Sequence, residues 1–372
     1  MDETCRRGEF FLNQTVPEGF PPGSDVANMS LLGYDPKSCY SGRAPLEAAA
    51  MGIKLAPDEL AFRCNLVTLD QENGQTTMRD FCAGHITNTE AHALIADLER
   101  HCATDKFHFY PGVGYRHLVV YKGTHPGFET VPPHDHIGRD VSTYFNRYLA
   151  QAEWKELLEK ARTLLLDHAV NRKRKAEGKN PASLIWLWGE GAMPAMQPLT
   201  KQFNITGTMI SAVDLLKGLG ILGGLDVAEV VGATGYIDTN YAGKAQAAIE
   251  ALTRQDLAFV HLEAPDEAGH QGSLPDKIRA IEDFDSKIVA PILKALRESG
   301  EEFRMVVTMD HFTPLSLKTH VSDPVPTILY DSRELQPGSG LSFSEKNCTL
   351  HAEKFGSTPE TGSTLMARLL QR

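Results

Sequence analysis

The chain has 372 residues, of which 42% are hydrophobic and 23% are charged, so it is long enough for two domains of an ordinary globular protein. Its formal net charge of −11 argues against nucleic acid or an anionic membrane surface as the main partner. The polar first residues, the lack of a run of roughly 18 apolar residues and the six scattered cysteines favour a cytoplasmic protein with reduced thiols, without signal peptide or membrane span.

The first fifty residues are predicted to contain at most one short strand, then a loop and a helix. The Pro/Gly cluster at 17–23 favours a loop, and a helical start is indicated by Val26, Ala27, Met29 and Leu32. Ser24 would then lie at a helix N-terminus, where free N–H groups favour an anion. From position alone we prefer a plain N-cap, with a nucleophile as the alternative. Arg43 could also face an anion, although a solvated charge is the default.

Residues 54–153 resemble a separate α+β module, because predicted strands surround one predicted helix at 89–101. Its polar candidates are Arg63, His85, Arg116, His117, His134, Asp135 and His136. The stretch P-P-H-D-H could bind a metal. We prefer a substrate-facing loop or a simple surface loop, since no further ligand group lies near it in the sequence.

An amphipathic segment at 154–168 is expected to return the chain to its first domain. An apolar run at 183–188 is typical of a buried strand, and later strands alternate with helices at 211–219, 243–253 and 276–298. Such alternation predicts a parallel, helix-covered sheet. We therefore predict an α/β core made of residues 1–53 and 154–372, with residues 54–153 as an inserted smaller α+β domain.

Two apolar runs of strand length, 257–262 and 304–309, are each followed by carboxylates and imidazoles. These candidate ligands are Asp266, His270, Asp310, His311 and His320. A lone Asp-His pair after a strand is more often a turn or a helix cap, but open α/β sheets bind ligands at the carboxyl ends of their strands. The whole set predicts a metal centre. Mixed nitrogen and oxygen ligands suit Zn²⁺ or Mn²⁺, whereas Mg²⁺ prefers oxygen.

Longer stretches of the chain resemble one known family. They are P-E-G-F-P-P-G-S-D-V-A-N-M-S-L-L-G-Y-D-P, G-R-A-P-L-E-A-A-A-M-G, A-G-H-I-T, F-Y-P-G-V-G-Y-R-H-L, P-P-H-D-H, I-W-L-W-G-E-G, G-A-T-G-Y-I-D-T-N-Y-A-G-K, E-A-P-D-E-A-G-H and M-D-H-F-T-P. From about residue 15 onward the chain is similar to the archaeal-type cofactor-independent phosphoglycerate mutases of the alkaline phosphatase superfamily. The resemblance implies an alkaline-phosphatase-like core with an inserted substrate domain.

The resemblance also implies an activity and its residues. The activity is the interconversion of 3- and 2-phosphoglycerate in glycolysis and gluconeogenesis, through a phosphoserine on Ser24 and without 2,3-bisphosphoglycerate. Two divalent metal ions are implied, Mn²⁺ above all, with Mg²⁺, Co²⁺ or Zn²⁺ as alternatives. The implied ligands are Asp266, His270 and His320 for one ion, and Asp310, His311 and Ser24 for the other. The implied substrate-binding residues are Arg63, His85, Arg116, Asn171 and Arg174, with Lys217 as a weaker candidate.

The chain departs from the family at its beginning. Family members begin with a buried strand that ends in an aspartate, which binds the same metal as Asp310. Nothing before Phe10 fits such a strand, so we expect this first core strand and one ligand to be missing, as in a shortened or incomplete sequence. If the chain is natural as written, the second metal site should be weak and the activity low.

Two alternatives to the mutase remain. A related metal-dependent phosphotransferase, such as the relatives proposed as homoserine kinases, would use a nucleotide, although no G-x-x-x-x-G-K-[ST] is present. A catalytically inactive, shortened binding protein is the other alternative, and two bound Mn²⁺ ions per chain would contradict it. In the leading interpretation the partner is the small molecule phosphoglycerate, with no nucleic acid or membrane involved.

Overall fold

The computed structural model describes residues 1–72, 74–334 and 337–370, which form a mixed α/β structure. No helix among these residues is both long and apolar enough to cross a membrane. The α-helices are α1 Asp2–Arg7, α2 Ser24–Leu31, α3 Pro36–Cys39, α4 Ala44–Ala50, α5 Asn88–Cys102, α6 Ser142–Leu149, α7 Ala152–Asp167, α8 Ala169–Ala176, α9 Leu199–Gln202, α10 Asp214–Leu222, α11 Tyr241–Leu252, α12 Ala264–Gln271, α13 Leu274–Phe284, α14 Ala290–Ser299, α15 Glu345–Phe355 and α16 Leu365–Leu370. The β-strands are β1 Glu9–Gln14, β2 Glu59–Glu72, β3 Gln75–Asp80, β4 Phe107–Val113, β5 Arg116–Lys122, β6 Leu184–Gly191, β7 Gly207–Ile210, β8 Asp226–Val227, β9 Leu257–Val260, β10 Arg304–Val307, β11 Val325–Asp331 and β12 Glu360–Thr361.

The chain forms two compact units. The first combines Met1–Tyr40 with Ala195–Arg372, and the second is Ser41–Pro194. The second unit is longer than the predicted insert of residues 54–153, because α4 packs against β2 and α7 packs against β6. β6 in turn pairs antiparallel with β2. The strand at 184–191, which the alternation from residue 183 onward assigned to the core sheet, therefore belongs to the second unit.

The first unit contains two sheets. β8, β7 and β9 form a three-stranded parallel sheet, with α10 and α11 packed against it as the alternation predicted. The other sheet has the order β10-β11-β1-β12, in which β11 runs antiparallel to both of its neighbours. Only part of the expected parallel core is therefore parallel. β1 is the one short strand expected near the beginning, and its Phe10 side chain is buried.

The second unit is built around β2, a 14-residue strand whose positions 61–68 are buried. β2 pairs antiparallel with β3, β5 and β6 in a five-stranded sheet. Aromatic side chains fill the core on one side, with Trp154 of α7 packed against Phe62, Phe107 and Tyr121. α5, which begins with a capping box between Thr87 and Glu90, also packs in this unit.

Candidate functional site

Ser24 lies at the N-terminus of α2, as its sequence context predicted, but it is the first helical residue. The N-cap is Gly23, so the preferred interpretation of Ser24 as a plain N-cap was wrong. The preceding Pro/Gly loop ends at Gly23, which is extended and precedes the first helical turn. The Ser24 Oγ lies 3.0 Å from the His311 Nε2. A serine hydroxyl in this position lies beside the free N–H groups of a helix N-terminus, which favour an anionic group on the serine.

Asp310 and His311 lie shortly after β10 and are fixed by neighbouring polar groups. The Asn28 Nδ2 donates to the Asp310 Oδ2 at 3.0 Å and to the Ser24 carbonyl at 2.9 Å, so one α2 side chain links both residues. Burial alone would raise the pKa of Asp310, but the His311 and His261 imidazoles and the Ser24 hydroxyl outweigh it and lower that pKa. Burial lowers the pKa of His311 despite the adjacent carboxylate. This pair therefore consists of a carboxylate and a neutral imidazole.

Asp266, His270 and His320 form a second cluster. Asp266 and His270 lie one turn apart on α12, which follows β9 closely. The Nε2 atoms of His270 and His320 each lie 3.3 Å from an Asp266 carboxylate oxygen. One ligand atom from each residue lies within 4.8 Å of the other two. The structure thus brings together the three residues that the family resemblance assigned to one metal.

The donor set of this second cluster fits a divalent ion. The His270 Nδ1 contacts the Lys318 carbonyl at 3.0 Å and the His320 Nδ1 contacts the Pro22 carbonyl at 3.4 Å, which leaves both Nε2 atoms as ligands. These Nε2 atoms are only 2.9 Å apart. Two lone pairs at this separation repel one another unless a proton or a cation lies between or beside them.

The pKa shifts in the second cluster agree with that fit. The hydrogen bond to Asp266 raises the pKa of His270 to about 9. Burial would raise the pKa of Asp266, but hydrogen bonds from His270, His320 and Thr313 hold it far below its usual range. Without a metal ion, the Asp266 carboxylate therefore favours the protonated form of His270. The same negative charge would balance a metal cation bound in that place.

The two clusters adjoin. The rings of His311 and His320 have centroids 3.8 Å apart. A cavity of about 350 Å³ is lined by residues of both clusters, among them Asp266, Asp310 and His311. The serine, two carboxylates and three imidazoles singled out from the sequence thus form one continuous polar site in the first unit.

Two further ionisable residues at this site were missed by the sequence analysis. His261 directly follows β9, and its Nδ1 lies 3.3 Å from the Ser211 Oγ. Desolvation lowers the pKa of His261 to about 4, so its ring is neutral at neutral pH. The buried Lys244 donates from Nζ to the His261 carbonyl at 3.0 Å, and burial lowers its pKa to about 8. The available signal was an ionisable residue directly after an apolar run, in F-V-H-L-E.

The second unit contains a separate cluster of positive charge. Arg63 is a buried residue of β2 whose Nε donates to the Glu47 carboxylate at 2.9 Å. Its guanidinium lies 4.1 Å from the Trp188 ring centre. Arg116 is an exposed residue at the start of β5, and its charge acts on both Arg63 and Glu47. Two of the predicted substrate-binding residues are therefore neighbours.

The other predicted substrate-binding residues have different surroundings. His85 is exposed, with a left-handed backbone (φ +50°), in the loop between β3 and α5. The Lys217 Nζ contacts Glu229 at 3.3 Å. Asn171 and Arg174 are buried, and their polar atoms bond to protein groups. These contacts favour a role in the fold for both residues, so the prediction that they bind substrate gains no support from them.

The stretch P-P-H-D-H forms a short 3₁₀ turn, Pro133–His136. His134 packs edge-on against Trp188 with ring centroids 5.5 Å apart, beside the Arg63 guanidinium. Burial lowers the pKa of His134. The sequence allowed a substrate-facing loop, a surface loop or a metal site for this stretch. The position of His134 next to Arg63 agrees better with a substrate-facing loop than with a metal site.

A helix-terminal serine next to two clusters of aspartate and histidine is typical of enzymes that transfer phosphoryl groups with the help of divalent metals. The family model described as 2,3-bisphosphoglycerate-independent phosphoglycerate mutase matches residues 5–171. A relative with that name from Methanosarcina acetivorans is 54% identical over 93% of this chain and 87% of its own length. A relative from Geobacter sulfurreducens, named a probable enzyme of this kind, is 46% identical over 100% of this chain and 92% of its own length.

Two solved structures are also similar to this chain. The cofactor-independent phosphoglycerate mutase from Thermoplasma acidophilum has a TM-score of 0.62 and 26% identity, and the match covers 99% of this chain and 90% of that one. A protein from Pyrococcus horikoshii has a TM-score of 0.79 and 25% identity, and the match covers 100% of this chain and 88% of that one. The chain belongs to the family of 2,3-bisphosphoglycerate-independent phosphoglycerate mutases.

Proposed function

We propose that this chain interconverts 3-phosphoglycerate and 2-phosphoglycerate through a phosphoserine at Ser24, without 2,3-bisphosphoglycerate. The observation that carries the proposal is the Ser24 hydroxyl at the start of α2, 3.0 Å from His311 and beside a converging set of metal-ligand side chains. Membership of the family supplies the substrate class.

The reaction consists of two phosphoryl transfers. In the first, the Ser24 Oγ attacks phosphorus, the bond to the glycerate oxygen breaks, and the proton of the serine ends on that oxygen. In the second, the other hydroxyl of the retained glycerate takes the phosphoryl group back, and Ser24 regains a proton. The free N–H groups of the first turn of α2 stabilise the negative oxygens of phosphoserine. Without a metal ion, His311 holds the Ser24 Oγ in place through a hydrogen bond at Nε2, the atom that would otherwise be its metal ligand.

Two divalent ions, Mn²⁺ above all, fit the donor groups. Asp266, His270 and His320 would hold one ion, and Asp310 and His311 together with Ser24 would hold the other. Such ions lower the pKa of a serine hydroxyl and offset the charge of the phosphate. Asn28 acts on this second set by fixing the Asp310 carboxylate.

For the substrate, we propose that Arg63 and Arg116 bind the phosphate or carboxylate of phosphoglycerate, with His85 as a further candidate. Arginine is suited to this task because its planar N–H groups match carboxylate and phosphate oxygens. The exposed Arg116 lies near the buried Arg63, and the two charges are balanced only in part by Glu47.

For the fold, we propose an alkaline-phosphatase-like core in which one further strand belongs between β9 and β10. Both are terminal strands of their sheets, and both run toward the Asp/His clusters. A cavity of about 550 Å³ is lined by every residue of the two strands. Open strand edges are normally paired or covered. If the proposal holds, adding an N-terminal strand that ends in Asp will slow amide hydrogen exchange in both β9 and β10, and unchanged exchange would contradict it.

The activity is tested with the purified chain, Mn²⁺ and 3-phosphoglycerate, with phosphorus NMR to follow 2-phosphoglycerate. We expect turnover that needs no 2,3-bisphosphoglycerate and is lost in Ser24→Ala. The matched control is Ser30→Ala, also on α2, whose buried hydroxyl has no hydrogen-bond partner among the described residues. Turnover that persists in Ser24→Ala would overturn the phosphoserine route.

A further inference from the structure

Glu47, a residue of α4 that the proposed reaction does not use, is shared by two arginines of the second unit. Its Oε1 accepts from the Arg43 Nε at 3.1 Å, and its Oε2 accepts from the Arg63 Nε at 2.9 Å. The side chain of Glu47 is 15% exposed. Burial would raise the pKa of Glu47, but the Arg63 and Arg43 charges outweigh it and lower that pKa, so the group is a carboxylate.

Arg63 is fixed on two sides. Glu47 holds its Nε edge, and the Trp188 ring covers one face of the guanidinium at 4.1 Å. The Arg63 side chain is only 7% exposed. The Nε of Arg63 is the atom that bonds to Glu47, and its Nη groups form no hydrogen bond to a described residue. These Nη groups form the fork that binds phosphate or carboxylate oxygens in pairs.

The charges around Glu47 do not cancel. Arg43, Arg63 and Arg116 carry three positive charges and Glu47 one negative charge, and their mutual electrostatic influence shows that they are close. His134 lies beside Arg63 on the Trp188 ring. The cluster therefore keeps a positive excess that suits a phosphate dianion, although a carboxylate lies within it.

We infer that Glu47 is a positioning residue, which holds Arg63 and Arg43 through their Nε atoms so that the Nη groups of Arg63 face the substrate anion. The inference rests on the proposed assignment of Arg63 to substrate binding. The charge of Glu47 alone would repel the substrate anion. By holding the arginines in place, however, the carboxylate strengthens anion binding.

The substitution Glu47→Gln separates geometry from charge because the two predict changes of opposite sign. If Glu47 only balanced charge, the variant would have one more net positive charge and would bind anions more tightly. If Glu47 positions the arginines, the variant binds anions more weakly. Each oxygen of Glu47 accepts from a different arginine, so in glutamine the NH₂ group would face one of the two Nε donors and that hydrogen bond would be lost.

The measurement is titration of the full chain with inorganic phosphate after a chelator has removed metals, followed by tryptophan fluorescence. All three tryptophans, Trp154, Trp186 and Trp188, belong to the second unit, so the signal reports on this unit. We expect the Kd for phosphate to rise about tenfold in Glu47→Gln, as befits the loss of one charge-assisted hydrogen bond. Glu156→Gln is the control, since Glu156 forms an exposed pair with Lys160 at the same i,i+4 spacing.

An unchanged or lower Kd in Glu47→Gln would overturn the inference, and so would a wild-type chain with no saturable phosphate binding. If Glu47→Gln does not fold, Glu47→Asp gives the decision, because it keeps the negative charge and the shorter side chain withdraws the carboxylate from the two Nε donors. We expect a raised Kd for phosphate in Glu47→Asp, and an unchanged Kd would overturn the inference.

A second measurement tests the role of Glu47 separately from the proposed mutase activity. In the Mn²⁺-loaded enzyme, Glu47→Gln should raise KM for 3-phosphoglycerate more than it lowers kcat. The phosphate titration needs no turnover, so an inactive wild-type chain would overturn the proposed activity and leave the phosphate result for Glu47 readable.

Discussion

His117 lies in the second unit on β5 and is 2% exposed. Its Nδ1 accepts from the Gly112 N–H at 3.0 Å, and its Nε2 is buried without a hydrogen-bond partner among the described residues. Burial, with a smaller contribution from His92, lowers the pKa of His117 to about 3. A proton on this ring would be buried without a countercharge, so the folded unit keeps the ring neutral well below neutral pH.

This residue should make the second unit less stable in acid. Between about pH 6.5 and 3 the unfolded chain binds a proton at His117 that the folded chain refuses, so stability is full above that window and falls as the pH is lowered. The free energy of unfolding should drop by about 2 kcal/mol from pH 7.5 to 5 on account of this group. Urea unfolding followed by tryptophan fluorescence at the two pH values measures the drop.

The variant His117→Gln keeps an acceptor for the Gly112 N–H and removes the titration. We expect its loss of stability between pH 7.5 and 5 to be smaller than that of the wild type by about 2 kcal/mol. His101→Gln, at an exposed position near the end of α5, should keep the wild-type dependence. Equal pH dependence in wild type and His117→Gln would show that His117 does not supply the effect.

At the scale of elements, α8 shows how a polar side chain can stabilise a connection between secondary structures. The Asn171 Nδ2 donates to the Leu165 carbonyl at the end of α7 and to the Ala182 carbonyl before β6. Its Oδ1 accepts from the Ala182 N–H at 2.9 Å. One amide therefore satisfies three backbone groups inside the protein, and such groups cost free energy when they are left without partners.

We expect Asn171→Ala to lower the free energy of unfolding by about 3 kcal/mol and to leave KM for 3-phosphoglycerate unchanged. A residue that binds substrate would show the reverse, with a raised KM and a small loss of stability. Chemical denaturation and steady-state kinetics together distinguish these outcomes. Asn146→Ala, at an exposed position of α6, is the control and should change neither quantity.

Local sequence patterns predicted helices and strands better than they predicted which strands pair in a sheet. The apolar runs that became β9 and β10, and the start of α2 at Ser24, could be inferred because apolar period and loop composition act over neighbouring residues. The pairing of β6 with β2 joins segments more than a hundred residues apart, and an apolar run does not specify its neighbour in a sheet. The division of the chain at residues 41 and 194 follows from that pairing.

The same distinction applies to the site. Asp266, Asp310 and His311 could be inferred because they follow apolar strands closely, and strand ends converge at one edge of a sheet. His270 and His320 were added because they lie four residues after Asp266 and ten residues after Asp310 in the sequence. Glu47 carries no such signal, since a glutamate on an Ala-rich helix is usually solvated. Its importance comes from Arg63, a residue of another element whose side chain meets it only in the folded unit.

At the scale of the whole molecule, the donor groups of the first unit couple metal binding to stability. An ion that binds only the folded chain adds about 2.7 kcal/mol at a concentration 100 times its Kd. For a unit of this size, Mn²⁺ should therefore raise Tm by roughly 5–10 °C, measured by scanning calorimetry. Asp266→Asn should lose most of this increase, because it removes the carboxylate that His270 and His320 contact. Asp323→Asn, an exposed position three residues after His320, should keep it.

The size of the Mn²⁺ effect should also depend on pH. Because the hydrogen bond to Asp266 raises the pKa of His270 to about 9, a metal ion must displace a proton from this ring at neutral pH. Protons compete less as the pH rises, so the increase in Tm at a fixed Mn²⁺ concentration should be larger at pH 8 than at pH 6.5. An equal increase at both pH values, or one retained in Asp266→Asn, would mean that the ion is held by groups other than this cluster.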